Sequence, residues 1–277
     1  MSSSLFSSRY RTAFVTGAST GLGLAFTEML LAQGVEVWGT ARNAARLAPR
    51  PRFHPVVLDL ADGADAQRIF DESVRAAGGF DVVINNAGFG AFGSFAHTDF
   101  SVWETQYRVM LVNTARLGRA ALRDMLPRGR GALVNVSSIA GEFGMPYQAV
   151  YNSIKAGLSA LNEGLMYEVK GTGICVIDFR PGDYRTDFEG SVLRPAQPGL
   201  DPLNEGRMAR AWSAFEGMMR SGPSPAHAAE SLRRALARGR SGTVRTGRFF
   251  QAVAGPLLAR CASLALKRRI QETYFGL

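Results

Sequence analysis

The chain has 277 residues, of which 46% are hydrophobic and 20% charged, values typical of a soluble globular protein and sufficient for one large α/β domain. Two cysteines exclude a disulfide framework, and three scattered histidines show no metal-ligand spacing, so we predict no metal site. The whole formal charge of +9 falls within residues 231–277, and the balanced remainder argues against a nucleic-acid-binding protein.

Residues 1–10 lack the apolar run of a signal peptide, and no apolar segment reaches the ~18 residues that a membrane span needs. We expect a flexible terminus and a cytoplasmic protein. Residues 11–16 read as a short buried strand, followed by Gly17-Ala-Ser-Thr-Gly21-Leu-Gly23 and a helix to Gln33. Glycines at such a turn let the backbone approach a pyrophosphate, and the helix N-terminus offers free N–H groups.

The same loop also contains the pattern G-x-S-x-G around Ser19, which is typical of a hydrolase nucleophile. Such a serine normally follows a strand inside a sheet, after several earlier strands. Only one strand can precede Ser19, so we favour a hydroxyl near phosphate over a nucleophile.

The second predicted strand, residues 34–40, ends in Ala41 and Arg42. In dinucleotide-binding folds an acid at this strand end binds the ribose 2′-OH of NAD, whereas an arginine nearby suits the 2′-phosphate of NADP. The missing acid and the added cation both favour NADP. The alternative is that Arg42 is a solvated residue at the start of a helix.

Further strands are predicted at residues 53–58 and 81–85, separated by a helix over 65–77. Asp59 and Leu60 close the first of these strands, and Asn86-Ala-Gly88 follows the second. Because apolar strands alternate with helices, we predict a single doubly wound parallel sheet of about seven strands with helices on both faces.

A long helix carrying Asn113 is predicted over residues 100–127, and a fifth strand over 132–138 ends in Ser138. On the next helix, Tyr151 and Lys155 lie four residues apart and therefore one turn apart on the same face. A neighbouring cation favours the phenolate, so we expect Lys155 to lower the pKa of Tyr151 by ~2 units, or about 3 kcal/mol. Alone, this pair also fits an amphipathic helix with a half-buried tyrosine and a solvated lysine.

Taken together, these motifs resemble the classical short-chain dehydrogenase/reductase family over roughly residues 11–190. The match consists of Thr16–Gly23, Asp59, Asn85–Gly88, Asn113, Ser138, Tyr151, Lys155 and Pro181-Gly182, in order and at family spacing.

The resemblance implies a role for each matching residue. Tyr151 would exchange a proton with the substrate oxygen, Ser138 would hold the substrate carbonyl, Lys155 would contact the nicotinamide ribose, and Asn113 would anchor a water. The implied cofactor site consists of Gly17, Ser19, Thr20, Gly21, Leu22 and Gly23 at the pyrophosphate, Arg42 at the 2′-phosphate, Asp59 and Leu60 at the adenine, Asn86, Ala87 and Gly88 at the adenosine ribose, Tyr151 and Lys155, and Pro181, Gly182 and Thr186 at the nicotinamide.

Residues 183–222 are rich in large apolar side chains, including Tyr184 and Phe188. Met208, Trp212, Phe215 and Met219 fall on one face of a predicted helix. The resemblance implies a mobile substrate-binding region here, so we assign substrate contacts to Ser138, Tyr151, Tyr184 and Trp212. The alternative is a face that packs on the body of the domain.

After a sixth strand over residues 174–179, a helix from Ser224-Pro225 to about residue 238 and an edge strand over 242–247 are predicted. The last predicted helix, residues 255–270, has an apolar stripe bordered by basic residues. Such a helix can pack on the body or on a second subunit, or can lie on an anionic membrane surface. Packing is the favoured interpretation of this extension, which we define as residues 248–277.

The function that we predict is NADP(H)-dependent reduction of an apolar lipid-, sterol- or polyketide-like ketone or aldehyde, or oxidation of the corresponding alcohol. A non-catalytic NADP-sensing protein on the same fold is the alternative, and a sugar-nucleotide epimerase ranks lower because its glycine spacing differs. The resemblance also implies a homodimer or homotetramer joined through the helices that carry Asn113 and Tyr151.

Overall fold

The computed structural model describes residues 6, 8–186 and 191–277, without the side chains of residues 259 and 260. Phe188, one of the apolar residues singled out above, lies outside the described residues. A parallel sheet contains seven strands in the order β3-β2-β1-β4-β5-β6-β7, which confirms the predicted fold class. The strands are β1 (Thr12–Val15), β2 (Glu36–Ala41), β3 (Phe53–Val57), β4 (Val82–Asn85), β5 (Gly131–Val136), β6 (Ile174–Pro181) and β7 (Gly242–Thr246).

Helices cover both faces of the sheet. They are α1 (Gly21–Ala32), α2 (Gly63–Ala77), α3 (Phe100–Tyr107), α4 (Asn113–Arg128), α5 (Ala149–Glu168), α6 (Pro202–Arg220), α7 (Pro225–Arg238), α8 (Gly255–Cys261) and α9 (Leu264–Phe275), with short 3-10 turns at Ala44–Arg46 and Ile139–Gly141. None of the helices in the described part of the chain is long and apolar enough to cross a membrane.

Two predicted helices are interrupted. A π-helical turn, Arg108–Val112, separates α3 from α4, so the expected helix over 100–127 is not regular. The C-terminal extension begins with a second π-helical turn, Phe250–Ala254, and its expected single helix is broken between α8 and α9. Ala262, in the extended conformation, ends α8, and Ser263 caps α9 through its side chain.

The alternation of side chains along each strand divides the core between the two faces of the sheet. On β1, Ala13 and Val15 face the layer formed by α1 and α7, whereas Phe14 faces the opposite layer of α2 and α4. Both faces are therefore buried, which explains why the strands are continuous apolar runs.

Helix starts agree with local sequence signals. Asp62 accepts hydrogen bonds from the Ala64 and Asp65 N–H groups at the start of α2, and Asp201 caps α6 in the same way. Helix α7 begins at Pro225, as predicted, although the side chain of Ser224 makes no capping hydrogen bond.

Part of the N-terminal segment differs from the expected flexible terminus. Phe6 and Tyr10 are buried, and the Tyr10 hydroxyl donates a 3.0 Å hydrogen bond to the carbonyl oxygen of Leu236 in α7. These two aromatic rings therefore anchor the segment to the α1/α7 layer.

Candidate active site

A cavity of about 1070 Å³ lies beyond the carboxyl ends of the strands. The strand order reverses between β1 and β4, which is where open α/β sheets bind ligands. Most of the predicted site residues line it: Gly17, Ser19, Thr20, Gly21, Leu22, Arg42, Asp59, Leu60, Asn86, Ala87, Gly88, Ser138, Tyr151, Lys155, Pro181, Gly182, Tyr184 and Thr186. Three others, Gly23, Asn113 and Trp212, are not part of this lining.

The glycine loop forms a close-fitting turn between β1 and α1. Gly17 and Gly21 have φ values of +68° and +55°, which favour glycine. A Cβ at Gly23 would overlap the Gly17 carbonyl oxygen, so Gly23 shapes the loop from behind. The Thr20 side chain makes no capping hydrogen bond to α1, and the first N–H groups of this helix are suited to a phosphate. The loop therefore fits the pyrophosphate of a dinucleotide.

Thr16 belongs to the matched sequence pattern, but the sequence analysis assigned it no role. Its hydroxyl oxygen accepts hydrogen bonds from the backbone N–H groups of Asn86 (2.9 Å) and Ala87 (3.0 Å). In return, the Asn86 side-chain amide donates to the carbonyl oxygens of Thr16 and Gly17. The glycine loop and the Asn85–Gly88 segment thus support one another, and the Asn86 side chain is engaged in holding the loop.

The expected adenosine end of the cavity carries positive charge. Arg42 lines it as predicted, and Arg46, from the 3-10 turn after β2, lines it as well. Asp59 accepts a hydrogen bond from the Ala61 N–H, which fixes the turn after β3.

Ser138, Tyr151 and Lys155 come together at the opposite end. The hydroxyls of Ser138 and Tyr151 are hydrogen-bonded to one another. Lys155 donates a 2.8 Å hydrogen bond from Nζ to the carbonyl oxygen of Val136, and its Nζ lies 5.5 Å from the centre of the Tyr151 ring. Ser138 is itself positioned by a hydrogen bond from the Ala140 N–H.

The predicted lowering of the Tyr151 pKa is wrong for this structure. Although Tyr151 is only half-buried, surrounding protein removes its hydroxyl from bulk water and raises the pKa to about 12. The hydrogen bond with Ser138 opposes this increase, and the charge of Asp183 adds to it. Lys155 is buried too, and burial lowers its pKa to about 8 against the effect of Asp178. Desolvation is therefore the main cause of both pKa shifts.

Asn113 lies beneath the cavity. Its side-chain amide donates a 2.7 Å hydrogen bond to the Leu60 carbonyl oxygen, and its Oδ1 accepts from Arg116. The π-helical turn ends immediately before this residue. The contact ties α4 to the loop after β3, and the implied water-binding role stays a prediction.

The two predicted aromatic substrate contacts differ from expectation. Trp212 packs against Phe92, with ring centres 5.1 Å apart, and Arg194 covers its ring. Phe215 and Met219, on the same predicted face of α6, do line the cavity. Tyr184 lines it too, but its hydroxyl is hydrogen-bonded to His227 and Thr246. Trp212 was included among the substrate contacts because hydrophobic periodicity identifies one face of a helix. It does not tell whether a residue on that face meets the cavity or the core.

The C-terminal extension forms part of the cavity, which the sequence reasoning did not anticipate. Its lining residues are Phe250, Gln251, Gly255, Leu258, Lys267, Ile270, Gln271, Tyr274 and Phe275. Phe275 is buried and packs in the cluster of Phe92, Ala211 and Trp212. The favoured interpretation, packing on the body, therefore describes the inner face of this extension.

A buried polar network lies behind Lys155. Asp178, on β6, accepts hydrogen bonds from Ser137, Asn162 and Arg180. Glu142 then bridges Arg180 and Arg245, with N–O distances of 2.7 Å and 2.6 Å. These charges are held beneath the site by hydrogen bonds and ion pairs.

Comparison with known proteins decides the family. The sequence pattern of the short chain dehydrogenase family matches residues 11–196. The chain belongs to this family. It is therefore an oxidoreductase of the kind that acts on alcohol or carbonyl groups.

Relatives of this short-chain dehydrogenase include named reductases. It is 29% identical over 195 residues to the 3-oxoacyl-[acyl-carrier-protein] reductase FabG of Escherichia coli, covering 69% of this chain and 80% of that protein. It is 32% identical over 174 residues to the 3-ketodihydrosphingosine reductase of Bacteroides thetaiotaomicron, covering 63% of this chain and 64% of that protein. A crystal structure of a short-chain dehydrogenase from Streptomyces avermitilis superposes with a TM-score of 0.82 at 29% identity, covering 95% and 97% of the two chains.

Proposed function

We propose that the protein is an NADP(H)-dependent oxidoreductase that reduces apolar ketones or aldehydes, or oxidises the corresponding alcohols. The observation that carries this proposal is the convergence of Ser138, Tyr151 and Lys155 at one end of a cavity whose other end is the glycine loop. The two reductases similar to this chain are both named for keto or oxo substrates.

Residues of this chain supply the proton that the reduction consumes. A bound nicotinamide cofactor would supply the hydride. With a pKa of about 12, Tyr151 holds its proton at neutral pH and donates it to the substrate oxygen as negative charge develops there. Ser138 donates a hydrogen bond to the same oxygen, and the Lys155 ammonium stabilises the tyrosinate that forms.

The preference for NADP(H) is supported by Arg42 and Arg46, which line the cavity, and by Ala41 at the position where NAD-binding folds carry an acid. Arg42→Ala should raise the KM for NADPH about 10- to 100-fold, since a charged hydrogen bond contributes about 1.5–3 kcal/mol. The KM for NADH should change little. Arg75→Ala, on the exposed side of α2, is the matched control. Equal effects on both cofactors would contradict the role of Arg42.

An apolar substrate is supported by the large apolar side chains that line the cavity. They include Met110, Phe143, Met145, Phe215, Met218, Met219, Phe250, Leu258 and Ile270. Burial of apolar substrate surface against them is favourable by roughly 25 cal/mol per Å².

The test is NADPH oxidation over a panel of apolar ketones and aldehydes, with wild type, Tyr151→Phe and Tyr167→Phe. Tyr167 is exposed on the same helix and serves as the control. We expect turnover in wild type and Tyr167→Phe, and a loss of at least about 100-fold in Tyr151→Phe. Wild-type rates in Tyr151→Phe would exclude the assigned role. Tight NADPH binding without turnover in any variant would favour the NADP-sensing alternative.

We further propose a homo-oligomer formed through α4 and α5. The exposed apolar side chains Val112, immediately before α4, and Leu126, on α4, support this choice of surface. Sedimentation velocity of wild type and Leu126→Asp should show a dimer or tetramer that dissociates in the variant, and a monomeric wild type would end this proposal.

The outer face of the C-terminal extension supports peripheral contact with an anionic membrane, on its cytoplasmic side. More than half of the exposed large hydrophobic side chains of the described chain lie between residues 249 and 277. Phe249, Val253 and Leu257 are each at least half exposed and follow one another at i, i+4 and i+8. Exposed Arg248, Arg268 and Arg269 supply the complementary charge.

Flotation with vesicles that contain phosphatidylserine tests this contact. We expect wild type to float, and a variant with Phe249, Val253 and Leu257 replaced by serine to remain in the dense fraction. Phe100→Ser, which changes an equally exposed apolar residue on α3, is the control and should float. Equal flotation of wild type and the triple variant would contradict membrane contact through this face.

A further inference from the structure

One acidic side chain lies in the catalytic end of the cavity and is not used by the chemistry described above. Asp183 directly follows Gly182 after β6 and lines the cavity together with Tyr151 and Tyr274. Burial is the main reason why the pKa values of these two tyrosines are raised, and the charge of Asp183 raises both further. The carboxylate therefore influences the pKa of two tyrosines, the catalytic Tyr151 and Tyr274 on α9.

The C-terminal extension holds this carboxylate in place. Gln251, itself buried, donates a hydrogen bond from Nε2 to Oδ2 of Asp183 and accepts one from the Asp183 backbone N–H at 3.2 Å. Gly182 leaves space for this contact, since a Cβ there would lie 2.5 Å from Oε1 of Gln251. The Gln251 side chain therefore holds Asp183 through one carboxylate oxygen, Oδ2, at the wall of the cavity.

A carboxylate in this position is unfavourable in an enzyme that reduces ketones without a charged group. Burial raises the pKa of Asp183, which shows that the charged form is poorly solvated even with Gln251 and Arg248 beside it. Its negative charge also opposes the negative charge that develops on the substrate oxygen near Tyr151. A positively charged group on the substrate would remove both penalties, because it would pair with Asp183 and offset its field at the reacting carbonyl.

We propose that Asp183 is a specificity-determining residue that binds a protonated amine close to the substrate carbonyl. The substrate class is then an amino ketone with an apolar chain, the amine at Asp183 and the chain along Phe215, Met219 and Ile270. This inference rests on the proposed reductase function and narrows its substrate.

A matched pair of decyl ketones tests the proposal. In one, the carbonyl carries a dimethylaminomethyl group. In the other, an isobutyl group replaces the nitrogen by CH and preserves the shape. The ratio of their kcat/KM values is measured at a pH below the pKa of the amine, with NADPH, for wild type, Asp183→Asn and Asp201→Asn. Asp201, at the exposed start of α6, is the control because it undergoes the same substitution outside the cavity.

We expect wild type and Asp201→Asn to prefer the amine, and Asp183→Asn to lose about 10- to 100-fold of that preference. The rate with the isobutyl ketone should itself rise in Asp183→Asn, since the charge that opposes the developing negative charge on the substrate oxygen is removed, so the ratio of the two kcat/KM values carries the test. An unchanged ratio, or an equal loss with both ketones, would overturn the proposal, because Asp183 would then act on the fold or on the cofactor.

The proposed reductase function and the proposed role of Asp183 can be refuted independently of one another. If neither ketone is reduced, the reductase assignment for such ketones is wrong. Calorimetric binding of the two corresponding alcohols in the presence of NADP⁺ then decides about Asp183. Tighter binding of the amino alcohol that is lost in Asp183→Asn supports the site, and equal affinities of wild type for both alcohols refute it.

Discussion

Lys155 should make the stability of this protein increase with pH, because its ammonium group is buried. Burial lowers the pKa of this lysine from 10.5 to about 8. Each pKa unit corresponds to about 1.4 kcal/mol, so the charged form destabilises the fold by about 3 kcal/mol relative to a fully solvated lysine. Below pH 8 this cost is fully present. Between about pH 8 and 10.5 the unfolded chain still holds the proton that the folded chain has released, and stability increases with pH.

The perturbation is Lys155→Met, which keeps an unbranched side chain and removes the charge. Urea unfolding would be followed at about pH 7 and about pH 10, and from the pKa values above wild type should gain about 2–3 kcal/mol relative to the variant over this interval. At pH 7 the variant should be the more stable protein. That advantage should be smaller than 3 kcal/mol, since the Val136 carbonyl oxygen loses its hydrogen bond at a cost of about 1 kcal/mol.

Lys170→Met is the control, because Lys170 is exposed just beyond the end of α5. It should follow wild type at both pH values. If wild type and Lys155→Met show the same change in the free energy of unfolding between the two pH values, the ammonium group is solvated in the folded protein and the reasoning is refuted.

Two further predictions concern packing and charge around the site. Gly23→Ala should lower stability by about 1–3 kcal/mol and weaken NADPH binding, because the methyl group would overlap the Gly17 carbonyl oxygen. Gly217→Ala, on the open side of α6, should instead be neutral or stabilising, and equal effects on thermal unfolding and NADPH titration would disprove the steric argument. Glu142→Gln should cost about 2–3 kcal/mol in urea unfolding because it removes the carboxylate that pairs with Arg245 and one of the two that pair with Arg180. Glu104→Gln, in an exposed ion pair, should cost under about 1 kcal/mol, and a similar value for both would show that Glu142 is well solvated.

Local sequence patterns determined the sheet and the glycine-loop end of the cavity. Strands buried on both faces are short apolar runs, and the glycine loop between β1 and α1 owes its shape to backbone geometry that only glycine adopts readily. Three residues of the candidate site follow strand ends, namely Arg42, Asp59 and Ser138. The other two, Tyr151 and Lys155, lie one helical turn apart on α5. Because the carboxyl ends of parallel strands meet at one edge of the sheet, placing the strands was sufficient to bring these residues together.

Other features depend on contacts between distant parts of the chain, which hydrophobic periodicity does not reveal. Trp212 and Phe215 belong to the same predicted helix face, yet only Phe215 reaches the cavity, because Phe92 and Phe275 cover Trp212. Asp183 gains its partner, Gln251, from 68 residues later in the chain. The protonation of Tyr151 was likewise decided by the tertiary structure. Spacing along a helix reports that a lysine is near, whereas the extent of desolvation depends on every segment that encloses the hydroxyl, and in this fold desolvation is the larger effect.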